Sequence, residues 1–157
     1  MLRLLFYTAL RVSELCRIQT ADVDLAENKI FINHGQGAKD RYVLFPDSFS
    51  LMLQTYIAGK ERNRYLFETR LHTHSSPRMV QMIVQRYAAK AELEAHVHPH
   101  VRRHQMPTFL TAEGKLTDAQ IQLISGHSSQ KSLERYQHMG LGDVAEDYQE
   151  AVKKVRV

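Results

Sequence analysis

Two short stretches, Lys29–Asn33 and Arg41–Phe45, read as strands, and the segment between them, Gly35-Gln36-Gly37-Ala38-Lys39-Asp40, carries the glycines of a hairpin connection. The rest of the pattern is helical. The expected fold class is therefore mainly α with a small antiparallel β-sheet, and 157 residues fit a single domain, 1–157, around one core.

Residues 2–10 read as a helix, and a second, short one starts at Ser13 as N-cap and runs to about Ile18. Pro46-Asp47 opens a helix through about Ala58, followed by a polar stretch, Gly59–Ser75, that contains the apolar patch Tyr65-Leu66-Phe67. Ser76 caps and Pro77 begins a helix to about Leu93, with Met79, Ile83, Tyr87 and Ala91 at four-residue spacing. Another starts near Pro99 or His100, and Pro107 within it should kink that helix or confine the His100–Arg103 motif to its first turns. Thr117 caps a helix through Ile124, Ser129 precedes one that carries Tyr136, and Asp143–Val155 reads as a final amphipathic helix.

Composition narrows the setting. The apolar runs are broken by charges within a few residues, which leaves nothing able to span a membrane. The opening MLRLLFYTALRVSEL carries Arg3 and Arg11 and lacks a small-residue cleavage site, so it reads as an amphipathic helix and not a signal peptide. A single cysteine, Cys16, excludes an intramolecular disulfide, reads as a small core residue and suits a reducing, cytoplasmic interior. The formal net charge of +4 is compatible with a polyanionic partner.

Groups that can do chemistry recur in a definite order. Arg11 stands at the junction of the first two helices, in TALRVSEL. In Pro99-His100-Val101-Arg102-Arg103-His104, a helix puts His100, Arg103 and His104 on one face, an arrangement an apolar core does not tolerate without an anion. A glycine then breaks a helix before His127, in Leu123-Ile124-Ser125-Gly126-His127-Ser128, and Tyr136 follows in Leu133-Glu134-Arg135-Tyr136. Each has a plainer reading: a solvated arginine, an exposed basic helix face, a C-cap with a surface histidine, a tyrosine packed on the core.

Taken in order, TALRVSELCRI with its GxGxKxR hairpin, HPHVRRH, and LISGHSSQKSLERY resemble the three boxes of the tyrosine site-specific recombinase (phage integrase) family, spread over almost the whole chain. The resemblance implies that family's catalytic-domain fold. It also implies an enzyme that cleaves and rejoins double-stranded DNA through a 3′-phosphotyrosyl intermediate, with no cofactor and no metal. Tyr136 corresponds to the nucleophile, Arg11 and Arg103 to a phosphate clamp, His100 to the group that assists phenol deprotonation, and His127 to a phosphate ligand. DNA contacts are expected from Arg11, Lys39, Arg41, Arg102 and Arg103. Glu14, one helical turn from Arg11, is placed to orient it. The family usually docks its C-terminal segment on a neighbouring protomer, which implies a multimer, a tetramer, on DNA, and a monomer or weak dimer alone.

The chain departs from the pattern at three places. Gln36 stands where the family carries the lysine that protonates the leaving 5′-oxygen, and Lys39 is its candidate substitute. Ala9 replaces the glycine usual before Leu-Arg, and the N-terminal helical clamp domain of family members is not in the sequence. Three other readings remain open: a DNA-binding relic or regulator of the same fold, a metal site built from His96, His98, His100 and His104, and a helical interaction module without chemistry.

Overall fold

The computed structural model describes residues 1–33, 40–60, 62–92, 99–125, 142–153 and 155, with the backbone alone at 99–105 and 143. Its elements run α1 (Leu2–Thr8), α2 (Val12–Arg17), a 3-10 turn (Thr20–Asp22), β1 (Val23–Asp24), β2 (Lys29–Ile32), β3 (Arg41–Leu44), α3 (Asp47–Ile57), α4 (Pro77–Lys90), α5 (Pro99–Glu113), α6 (Asp118–Ser125) and α7 (Gly142–Val152).

α1 ends earlier than the sequence pattern suggests because Ala9 adopts the left-handed conformation, φ 50° and ψ 25°. That is the conformation for which glycine is the ordinary choice, and it accounts for the glycine that the resemblance places there. The chain accepts the strain of Ala9 with its methyl fully buried in the core. α2 then begins at Val12, with Arg11 in extended conformation as its N-cap. Ser13, expected as the cap, lies inside the helix instead: Glu14, at the third helical position, takes the Arg11 backbone N–H at 2.9 Å and so fixes the start two residues earlier.

The sheet is antiparallel in the order β1-β2-β3, with Ile30 opposite Val43 and Phe31 opposite Tyr42. Strand alternation sends Ile30, Ile32 and Val43 into the core and leaves Phe31 and Tyr42 on the outer face, their rings 5.2 Å apart. β1, only two residues long, was not legible in the sequence pattern. The hairpin connection, residues 34–39, lies outside the described residues.

Helix starts follow their caps. The Ser76 hydroxyl accepts the Met79 N–H with Pro77 in the first turn, and Thr117 Oγ1 accepts from Gln120 N ahead of α6. On α4 the residues turned fully inward are Val80 and Val84, whereas Tyr87 is 55% exposed, so the four-residue row beginning at Met79 lies beside the buried face. α5 continues six residues past Pro107 to Glu113, so the proline does not end it.

The core gathers Leu4, Leu5, Leu10, Leu15, Phe45, Met106, Leu110 and Ile124. α5 sits among α1, α6 and α7. α7 docks on its own chain: the fully buried Tyr148 donates to the Tyr7 carbonyl at 3.2 Å, Gln149 bridges the Phe45 carbonyl and the Asp47 N–H, and Glu150 pairs with Lys115. Burial pushes the Tyr148 hydroxyl well above its ordinary pKa, so it remains a donor.

Cys16 is 1% exposed, as a core cysteine should be. Burial raises its thiol to about 11. Against an ordinary value of 9.0 this cuts the thiolate fraction at pH 8 about a hundredfold. The folded protein should therefore react with a thiol reagent at pH 8 at no more than about 1% of the rate of the unfolded chain. Reagent uptake within tenfold of the unfolded rate would contradict this burial.

Candidate active site

The best-defined part of the site is built on the first turn of α2. Arg11 occupies the N-cap, half-buried, at φ −69° and ψ 147°, so its backbone is extended and its side chain leaves the helix at the junction with α1. Glu14 fixes this geometry through the Arg11 N–H. The same carboxylate receives both amino groups of Arg41, each at 2.9 Å, in a forked ion pair whose side chains are only 16% (Arg41) and 8% (Glu14) exposed. Such two-point pairing is among the stronger polar contacts a protein makes. Arg41 opens β3, two residues after Lys39, so one carboxylate ties the base of the hairpin to the backbone of Arg11.

This differs from the role expected for Arg41. Both of its amino groups are engaged by Glu14, and among the described residues its buried Nε has no hydrogen-bond partner. In this structure Arg41 anchors the hairpin. The sequence carried half of the signal: a glutamate at the third helical position is a capping-box residue. The Arg41 half joins residues 27 apart and follows from no local pattern.

The other expected site residues are placed only by their elements. His100, Arg102 and Arg103 lie in the opening turns of α5, and α5 packs on α1, whose C-terminal end leads into Arg11. His127 and Tyr136 fall in the segment 126–141, outside the described residues, as do Lys39, Gln36, and the His96 and His98 of the alternative metal reading. That segment leaves from the end of α6 and returns at the start of α7. Both helices pack on α5, and Gln120 of α6 donates to Asp147 of α7 at 3.1 Å. The chain thus enters and leaves the His127–Tyr136 segment from helices packed on the one that carries His100 and Arg103.

Residues 1–140 match the phage integrase family. The chain belongs to that family. The tyrosine recombinase XerC of Bacillus pumilus is 33% identical over 157 residues, covering 94% of this chain and 51% of that protein. The tyrosine recombinase XerA of Thermococcus kodakarensis is 36% identical over 137 residues, covering 85% and 48%. This phage integrase family chain thus spans about half the length of these curated relatives. Among solved structures, a XerA recombinase superposes with a TM-score of 0.72 at 30% identity, over 98% of this chain and 57% of that one. The integrase of mycobacterium phage Brujita superposes at 0.73 and 19% identity, a likeness of fold. The fold is that of tyrosine recombinase catalytic domains, as the box order implied. Among the described residues no helix is long and apolar enough to cross a membrane.

Proposed function

We propose that this chain is the catalytic part of a site-specific recombinase that cuts and rejoins double-stranded DNA. The observation that carries this reading is the Arg11 N-cap, held by Glu14 and through it tied to the hairpin, within a chain that matches the family over residues 1–140. A backbone fixed in this way gives the Arg11 guanidinium a set starting point from which to reach the phosphate that gains charge in the transition state.

The Tyr136 phenol oxygen attacks the scissile phosphorus, the bond to the 5′-oxygen breaks, and a 3′-phosphotyrosyl ester forms. The phenol proton passes to His100, and the departing 5′-oxygen takes a proton from Lys39. Attack by a 5′-hydroxyl of the partner strand reverses these events and restores the phenol. Arg11 and Arg103 clamp the non-bridging oxygens and His127 donates to one of them, so the chemistry needs neither metal nor cofactor. Arg102 and Lys39 extend the contact along the phosphates, and Arg41 holds the hairpin that presents Lys39. The protein acts in the cytoplasm, as a multimer on DNA and as a monomer or weak dimer alone.

Covalent trapping tests this. A nicked suicide site that loses its 5′-hydroxyl product should yield a detergent-stable protein–DNA adduct, and Tyr136→Phe should yield none. Absence of adduct, even with a family clamp domain supplied, overturns the reading. Gln36 favours the alternative of a relic that binds DNA without cleaving it, because an amide is no general acid. If Lys39 fails as the acid, Gln36→Lys should raise adduct yield by roughly the 10²-fold at the low end of general acid catalysis.

A further inference from the structure

An α-helix that continued past Thr8 would give the Arg11 N–H to the carbonyl four residues back, that of Tyr7. Here the two halves of that bond go to different side chains. The Arg11 N–H donates to Glu14 Oε2 at 2.9 Å, and the Tyr7 carbonyl accepts from the Tyr148 hydroxyl at 3.2 Å. Glu14 is a near neighbour in sequence, whereas Tyr148 reaches Tyr7 across 141 positions. We propose that the Tyr148 hydroxyl is a positioning group for Arg11, holding the break between α1 and α2 from which that side chain leaves. The proposal rests on the reading of the chain as a DNA-cutting recombinase in which Arg11 binds the scissile phosphate.

The break needs such a hold. Ala9 sits in the left-handed region at φ 50° with its methyl buried, and a residue other than glycine persists there only where its surroundings fix it. The last carbonyls of α1 have also lost their helical donors. Tyr7 is in the core, its ring 5.6 Å from those of Phe6 and Phe49, and its bond to Tyr148 is buried. The end of α1 therefore cannot shift away from α7 without stranding a buried carbonyl and a buried hydroxyl together, and each is costly to leave unpaired.

α7 is anchored firmly enough to aim the hydroxyl. Val144, Tyr148, Ala151 and Val152 are buried. Gln149, next in sequence, donates to the Phe45 carbonyl at 3.0 Å and accepts the Asp47 N–H at 2.9 Å. Gln120 of α6 donates to Asp147 at 3.1 Å. Burial keeps the Tyr148 phenol protonated and able to donate. A fully buried side chain touches neither DNA nor the reacting atoms, so whatever Tyr148 does for the reaction it does through Tyr7 and the turn that leads to Arg11.

Tyr148→Phe is the test, because phenylalanine fills the same space and removes one oxygen. A distance of 3.2 Å is long for an O–H donor, so the loss should be smaller than that of Arg11 itself. Single-turnover adduct formation on a suicide DNA site, at saturating protein, should slow about fivefold, the middle of the range for one net hydrogen bond. A group that acts through Arg11 has nothing to act on once Arg11 is gone. In the Arg11→Ala background Tyr148→Phe should therefore add no further slowing, a dependence that general destabilisation does not produce.

Amide hydrogen exchange reads the same hold without the chemistry. In Tyr148→Phe the Arg11 N–H should exchange about fivefold faster, while the Met79 N–H, held by the Ser76 cap of α4, keeps its wild-type rate. An adduct rate within about twofold of wild type overturns the proposal. So does a slowing carried undiminished into the Arg11→Ala background, or exchange that rises equally at Arg11 and Met79 or at neither. If the wild-type chain forms no adduct, exchange decides alone: faster exchange at Arg11 and not at Met79 upholds the hold of Tyr148 on the break and counts against the catalytic reading only.

Discussion

Arg11→Ala should lower the rate of adduct formation on a suicide DNA site by about 10²–10³, the usual loss when one preorganised oxyanion donor is removed. The structure makes this a clean substitution. The cap of α2 is made by Glu14 and the Arg11 backbone N–H, and alanine retains that N–H. The backbone at position 11 is extended, which alanine adopts without strain. The unfolding midpoint should therefore stay close to wild type while the chemistry fails. Arg11→Lys keeps the charge but loses the planar fork, so it should recover only part of the rate. The check is a single-turnover measurement at saturating protein, which separates the reaction from binding. A rate within a few-fold of wild type for Arg11→Ala would remove Arg11 from the phosphate site.

The residues show what the sequence could and could not tell. Local signals were sufficient where a side chain acts on its own neighbourhood. Ser76-Pro77 and Thr117 announced helix starts that the structure keeps, and the two strands end within one residue of their expected limits. The order of the family boxes carried the fold. Elsewhere a competing local bond or the packing of the fold decides, and the pattern misled. Ser13 has the chemistry of a cap, but Glu14 bonds one turn back and moves the helix start to Val12. Met79, Ile83 and Tyr87 are apolar at the right spacing, yet the residues that α4 buries most completely are Val80 and Val84. Arg41 reads as one more basic residue in a basic hairpin until the fold sets Glu14 against it. The polar stretch Gly59–Ser75 conceals Glu68, whose side chain is only 3% exposed and accepts from Arg64 N, Tyr65 N and His72 Nδ1, an acidic residue whose burial no periodicity announces.

Glu14→Ala should be the most damaging single substitution to stability in the site region, costing about 3–5 kcal/mol, the range for removing one partner of a buried ion pair. Among the described residues the wild-type carboxylate accepts from the Arg11 N–H and from both amino groups of Arg41. Alanine leaves the Arg41 guanidinium charged at 16% exposure, with an Nε that already lacks a partner among the described residues, and leaves the first turn of α2 uncapped. Against a typical domain stability of roughly 5–15 kcal/mol, that loss brings the chain near its unfolding threshold. The reverse deletion is informative. Arg41→Met in the Glu14→Ala background removes the stranded charge, and the double variant should regain part of the loss, because replacing a whole buried pair with apolar side chains is far less costly than breaking it. Denaturant unfolding of wild type, both single variants and the double variant closes the cycle. A Glu14→Ala cost below about 1 kcal/mol, within the range of an exposed pair, would mean that the carboxylate is solvated and does not tie the hairpin to Arg11. If the tie is real, the double variant separates stability from function. It should fold well enough to assay yet cleave slowly, because the two-point tie between Arg41 of β3 and the turn that carries Arg11 is then gone.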